Sequence, residues 1–409
     1  MFNEYQHRDL SKRFQLKLCR NNETPLSSWE ISNFVNQLTS FYFKTELINS
    51  ISLAINNNIA PENIFILTES FGLNKTYDKL DVLSIPDELL QLYYIGYPIS
   101  LVPNKEILSI NILFKIFREL NEVLYNTKPR LKLSSDVLTD AFVMIDNGIE
   151  AVINYISQQA LLVISDSQTR SDKDKNNLDE KLNKITNVIK KHLRTFEKYR
   201  ADEVQIELIK EHLFQSSVDI NEIKDYELIL SKYFNTFYYY FSKVSRPVIG
   251  IYNKTEKQVQ IIGKSQINKK KRDELFFDTK SISHNSPLSA FFEAGLGLGQ
   301  LAIERERLKL EKEKHEWERK KFEIELQTMQ QEQQIKELEK IDKQIELYSR
   351  MEEFLSKQGQ NQINNIQNPY LRQNMMESRQ KIFLGYHRLI EKNGLTVVPE
   401  DTKIIDVKI

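Results

Sequence analysis

A single cysteine, Cys19, stands among 409 residues, which excludes an internal disulfide and any zinc site built on cysteines and fits a reducing, cytoplasmic setting. Cys19 lies in a strand-like stretch with nothing beside it to lower its pKa, and it reads as a small core residue. Glycine is scarce at 11 and proline at 10; with so little punctuation the chain reads as predominantly helical. Charge of one sign is missing too. The 57 Lys and Arg equal the 57 Asp and Glu, so no global field draws the chain onto nucleic acid or an anionic membrane, and any such contact has to be local. No run of about twenty apolar residues occurs, so no membrane-spanning helix is expected. The polar stretch Met1–Phe14 has no apolar core of a secretory signal. What is abundant is Asn, Ile, Lys, Tyr and Phe, residues of A/T-rich codons, which points to a low-GC, bacterial source.

The stretch that organises the rest is 287–358. It has no proline after Pro287 and reads as one very long charged helix of about 100 Å at 1.5 Å per residue. Glu316 with Lys320, Glu332 with Lys336, Glu339 with Lys343 and Glu346 with Arg350 are acid-first pairs at i,i+4, each contributing a few tenths of a kcal/mol. Apolar residues recur every seven at Ile303, Leu310, Trp317 and Ile324, and again at Leu308, Phe322 and Met329 with His315 filling the gap between the first two, giving two seams about 140° apart. Further on, Ile335, Leu338, Ile341 and Ile345 step by three and four as an ordinary amphipathic face. Large apolar residues in so charged a run mark contact, so residues 300–356 are expected to bind a second copy or a protein partner in a coiled-coil-like layer. Strict heptads are absent, and the alternatives are a solvated single helix held by its ion pairs and packing back onto the chain's own body.

The remainder predicts a helical α+β fold of two small mixed bodies. An N-terminal α+β domain spans 1–164. It opens on a strand at Phe14, Leu16 and Leu18, followed by a helix capped by Ser27 with Glu30 three residues later. A second helix holds Leu47 to Ile55, a strand Ile64–Leu67, and a short helix runs from Pro86 to Leu92. Asn104 caps another, Leu131 and Leu133 suggest a strand, and Asp136–Ser165 suggests one long apolar helix. The almost wholly polar 165–180 reads as a linker or loop. A second body, 181–286, holds helices from Leu182 and over Ile223–Lys243, a hairpin of Val248–Tyr252 with Val259–Ile262, and a third strand over Phe276–Ser283. After the long helix, 359–409 reads as a loop, a helix near Gln373–Lys392, and a terminal hairpin of Leu395–Val398 with Ile404–Val407.

Few residues suggest chemistry. Gly295, Gly297 and Gly299 are not spaced as a dinucleotide loop; with Phe291 and Phe292 they make Pro287–Ile303 read as the small-residue start of the long helix. Lys269, Lys270, Lys271 and Arg272, with Lys264 near, form the densest basic cluster and suit phosphate contact. Asp278-Thr279-Lys280 after Leu275-Phe276-Phe277 has the acid-x-lysine form of metal-dependent nucleases, with Asp273 or Glu274 as the second carboxylate such a site needs. No catalytic residue, metal ligand or cofactor is assigned. The leading expectation is a non-enzymatic assembly or adaptor protein acting through its long helix. The alternatives are a nucleic-acid-binding protein or metal-dependent nuclease-type effector of a bacterial antiviral defence system, and a membrane-active effector using Pro287–Ile303.

Overall fold

The computed structural model describes residues 13–20, 26–69, 82–84, 88, 90–126, 130–166, 173–214, 224–263, 278–283, 289–295 and 363–398. The fold is helical α+β, and the chain divides into two compact units, 59–262 and the remainder on either side of it. In order the elements are strand β1 (Arg13–Arg20), helix α1 (Ser28–Asn56), β2 (Ile64–Leu67), β3 (Val82–Ser84), α2 (Leu90–Tyr93), β4 (Pro98–Ser100), α3 (Lys105–Tyr125), α4 (Ser135–Val143), α5 (Ile149–Asp166), α6 (Lys173–Phe214), α7 (Lys224–Lys243), β5 (Ile249–Asn253), β6 (Gln258–Ile262), β7 (Asp278–Ser283), β8 (Ser289–Gly295), α8 (Pro369–Lys392) and β9 (Leu395–Val398). Among the described residues no helix is long and apolar enough to cross a membrane.

The discontinuous unit is built on an antiparallel sheet of order β7-β8-β1-β9. Leu18 is fully buried in β1, one of the two inner strands. The expected cap of α1 is present: the Ser27 hydroxyl accepts from the Glu30 amide at 3.3 Å, and the Ser27 amide donates to Glu30 Oε2 at 2.8 Å. Where two helices were expected there is one, because no glycine or proline interrupts 39–46. Thr39, Thr45 and Ser52 turn their hydroxyls back onto the carbonyls of Val35, Phe41 and Ile48 at 2.7, 2.9 and 2.8 Å. The helix stops at Asn57, and Asn58 enters the left-handed region at φ 62°. Helix α8 starts as Asn368 Oδ1 accepts from the Leu371 amide at 2.9 Å, with Pro369 in the first turn where its missing N–H costs nothing. It lies against α1, the Phe41 and Tyr386 rings 5.1 Å apart and Met375 Sδ 3.9 Å from Ser52 Oγ.

The continuous unit holds the sheet β3-β6-β5-β2-β4, every pairing antiparallel. The expected β5–β6 hairpin is present. Its turn is an Asx-type turn in which Asn253 Oδ1 accepts from the amides of Thr255 and Glu256 at 3.1 and 3.3 Å. Lys254 and Lys257 from this turn pair with Glu106 and Asp146. Between sheet and α3 lies a small hollow lined only by apolar groups, Phe65, Leu67, Leu92, Pro98, Ile107, Ile110, Phe114 and Val259.

Several expectations are corrected. Pro287–Ile303 does not open a helix: Ser289–Gly295 is β8, flanked by β7 and β1, because strand pairing from distant segments overrides local propensity. The stretch Phe276–Ser283 supplies β7, which joins β8 and not the β5–β6 hairpin. Strand β9 pairs with β1, and its expected partner Ile404–Val407 lies outside the described residues. Leu131 and Leu133 are tied to α3 through their amides, which donate to Leu124 O at 3.1 Å and Asn121 Oδ1 at 2.7 Å. The stretch Asp136–Ser165 is two helices, broken by a 3-10 turn at Met144–Asn147 and by Gly148 at φ 97°. The polar stretch 165–180 is helical at both ends, since α6 begins at Lys173; no glycine or proline opposes it, and Glu180 pairs with Lys184 at 2.5 Å. The rest of the stretch expected to form the long charged helix, 296–358, lies outside the described residues.

Gly250 shows how tightly the second sheet is closed. It sits opposite Phe65 in the β2–β5 register, and a Cβ there would fall 2.4 Å from the Phe65 ring. Gly250→Ala is expected to cost about 1–3 kcal/mol, read as a lowered denaturant midpoint. Phe65→Leu should rescue part of that loss in the double variant. Additive losses would show that the ring is not what the glycine accommodates.

Candidate functional site

The expected site residues lie outside the described residues: Lys264 and Lys269 to Arg272 in the basic cluster, and Ile303, Leu308, Leu310, Trp317, Phe322, Ile324, Met329, Ile335, Leu338 and Ile345 on the helix seams. Asp278 lies in β7. Its register partner is Glu293 of β8, and the register slips between Thr279 and Ser281, at Lys280; the expected second carboxylates Asp273 and Glu274 lie outside the described residues.

Among the described residues a charged and aromatic cluster that was not expected belongs to the 59–262 unit. Helix α3 builds it. Ile107, Ile110, Phe114 and Phe117 bury one face, so Lys115, Arg118, Glu119 and Glu122, at i, i+3, i+4 and i+7, share the other. Arg118 Nη1 donates to Glu69 Oε1 at 2.6 Å and Nη2 to the Tyr93 carbonyl at 2.9 Å. Its guanidinium carbon lies 4.7 Å from the Tyr97 ring centre and 5.3 Å from that of Tyr93. Lys115 Nζ lies over Tyr97 at 5.4 Å. These rings are held in turn: Tyr93 meets Phe114 and Phe117 edge-on at 5.4 and 5.5 Å, and the Tyr97 amide donates to Thr68 Oγ1 at 3.0 Å. Gly96, at φ 110°, lets the two strands of this loop meet, since a Cβ would come within 2.6 Å of Thr68 Oγ1.

One turn along α3, Glu119 reaches α6. Its Oε1 accepts from Lys191 Nζ at 2.8 Å, and its Oε2 lies 3.2 Å from His192 Nε2. The His192 side chain is 3% exposed. Burial pushes its pKa below the ordinary 6.5 in spite of the pull of Glu119, so the imidazole is neutral at pH 7. Burial alone would raise Glu119, but Lys191 and His192 outweigh it and hold the carboxylate below the usual 4.5. Burial lowers Lys115 and raises Tyr93 and Tyr97. A carboxylate beside a neutral imidazole is an arrangement used for proton transfer. Here the imidazole is enclosed and both partners join α3 to α6, so the pair is a brace, and the Arg118 clamp fixes the loop after β2 to the same helix.

Compared with known proteins, the chain matches no family model, no curated protein and no solved structure.

The sequence carried a signal for this cluster in the polar stripe Lys115-x-x-Arg118-Glu119-x-x-Glu122 and in the tyrosines at 93, 94 and 97. Their partners Glu69 and His192 come from distant segments that spacing alone does not join.

The brace has a pH dependence of definite sign. His192 has its pKa depressed on folding, so its contribution is complete above 6.5 and is lost as pH falls through the lower folded value. Glu119, also depressed, loses its contribution below 4.5. The melting temperature of the wild type should therefore fall as pH drops from about 7.5 to 5, and His192→Gln should flatten that fall. An equal slope in the variant would remove His192 from the brace. Glu119→Gln, which frees a largely exposed lysine, is expected to cost no more than about 1 kcal/mol at neutral pH.

Proposed function

We propose that the protein is a non-enzymatic assembly or adaptor protein whose charged run 300–356 is the contact element. The observation that carries this reading is where the run is rooted. Strand β8 ends at Gly295 beside Arg13 of β1, and the chain re-enters the same unit at Ile363 and Ile366, both buried, just before α8 packs on α1. Near Gln327–Gln334 charge thins and the seven-residue seams give way to the three-and-four pattern. With both ends of the run attached to one folded unit, the seams of Trp317 and Phe322 are offered to a second copy or a protein partner. Light scattering of the full-length chain across a concentration series should give a mass above that of the 48.3 kDa protomer. Trp317→Ala combined with Phe322→Ala should lower it. A monomer at every concentration, or a mass indifferent to the double substitution, would overturn the reading.

A second reading, a metal-dependent nuclease-type effector, is favoured by the β7–β8 register. Asp278 and Glu293 occupy paired positions on neighbouring strands, with Lys280 two residues on. Like charges directly opposite each other destabilise a sheet, and a divalent cation between them removes that cost. Degradation of single- or double-stranded nucleic acid on addition of Mg²⁺ or Mn²⁺, abolished by Asp278→Asn, would support it. Intact substrate with both metals counts against it.

A further inference from the structure

Helix α7 presents a surface that neither reading uses. Phe234, Phe237 and Phe241 are buried along one face. On the opposite face Lys232, Thr236, Tyr239 and Lys243, at i, i+4, i+7 and i+11, form one exposed stripe, with the two lysines about 16 Å apart along the axis. Tyr239 is 56% exposed, and Tyr240 meets its ring edge-on at 5.2 Å. Lys243 Nζ rests 5.5 Å over Tyr239 and Lys232 Nζ 5.9 Å over Tyr233. Among the described residues neither lysine has a carboxylate within ion-pair reach. The local sequence accounts for this: no Asp or Glu occurs from 228 to 255, in a chain that carries 57 of them, whereas Lys254 and Lys257 of the β5–β6 turn and Lys184 and Lys191 of α6 find acidic partners.

We propose that this face binds single-stranded nucleic acid, the tyrosine rings stacking unpaired bases and Lys232 and Lys243 meeting phosphates on either side. Cations alternating with accessible ring faces along a groove-free helix suit a flexible polyanion whose bases are unpaired, and stacking tolerates any base. A duplex hides its ring faces and would leave the tyrosines unused. An anionic bilayer is disfavoured by the stripe itself: its exposed positions are Lys, Asn, Thr, Tyr and Ser, with no aliphatic side chain to enter the acyl region. The inference stands independently of the assembly reading.

The test is fluorescence anisotropy of a labelled short oligo-dT with the full-length protein, between about 50 and 200 mM salt. Affinity should fall with salt, and Lys232→Gln with Lys243→Gln should reduce the log–log slope by about 1.4, two contacts at about 0.7 each for single strands. Tyr239→Ala should weaken binding on the order of tenfold while leaving the salt slope unchanged. Because all three positions are exposed, an unaltered circular dichroism melt is expected and separates lost contact from lost fold. The proposal is overturned if oligo-dT does not bind at the lowest salt, or if binding survives these substitutions and disappears when Lys269–Arg272 are neutralised. It is equally overturned if polyglutamate or phosphatidylserine vesicles bind the same face more tightly than oligo-dT does.

Discussion

Strand β1 can satisfy its backbone only with strands from the far end of the chain. Arg13–Arg20 lies inside the sheet, bonded along one edge to Ser289–Gly295 and along the other to Leu395–Val398, and nothing near it in sequence can serve. An inner strand left unpaired on either edge exposes a row of donors and acceptors whose burial is costly, so the first strand waits on the last. Closing such circuits costs entropy only logarithmically in loop length, which is why the sheet tolerates a complete compact unit and a long charged run between its strands. It does set an order of events. Non-local pairing is slow, while the 59–262 unit has its own core and its own antiparallel sheet, with no need of β1.

Within that unit the work is divided between oil and charge. The apolar face of α3 carries the burial, and its polar face carries the restraints: one arginine fixes a loop from two directions and one glutamate joins two helices. Pairs as exposed as Lys191 with Glu119 contribute little each. Arg118 is different in kind, because its planar fork is used in full, with a carboxylate, a carbonyl and two ring faces that a lysine could not satisfy together. Gly96 serves the same loop by absence: the side chain it lacks is the room in which Thr68 meets Tyr97.

How much of this was legible depended on whether a feature is local. The capping box at Ser27, the Asn104 cap, the apolar strand Ile64–Leu67, the β5–β6 hairpin and the extents of α7 and α8 rest on neighbours in sequence, and all appear in the fold. What failed was pairing. Ser289–Gly295 has small residues and two phenylalanines, which suit a helix start as well as a strand, and the decision belongs to β1 and β7 from elsewhere. The stretch 165–180 looked too polar to order, yet a helix exposed on most of its circumference needs few apolar residues when one stripe, with Ile185, His192 and Tyr199, is buried. The candidate site was half visible: the α3 stripe could be read, but Glu69, Lys191 and His192 could not be attached to it.

The middle of α1 shows where periodicity ceases to be informative. From Tyr42 to Ala54 every residue is buried, so the helix has no outer face, and Lys44, Glu46, Asn49 and Ser52 are enclosed with Leu47 and Ile51. Burial brings Lys44 down to about 8, which is still above neutral, so its amine is charged inside the fold and in the unfolded chain alike. The desolvation cost is therefore borne in full at neutral pH and begins to ease only as the amine loses its proton above about 8. A hydrophobic residue of similar size would often be neutral or stabilising at such a place. What a charged group supplies in exchange is direction: a buried amine has to be met by specific oxygens, whereas a greasy helix buried on all sides could rotate or slide among equivalent packings. On that argument the polar residues between Tyr42 and Ala54 fix the angular setting of α1 where it has no amphipathic face to do so.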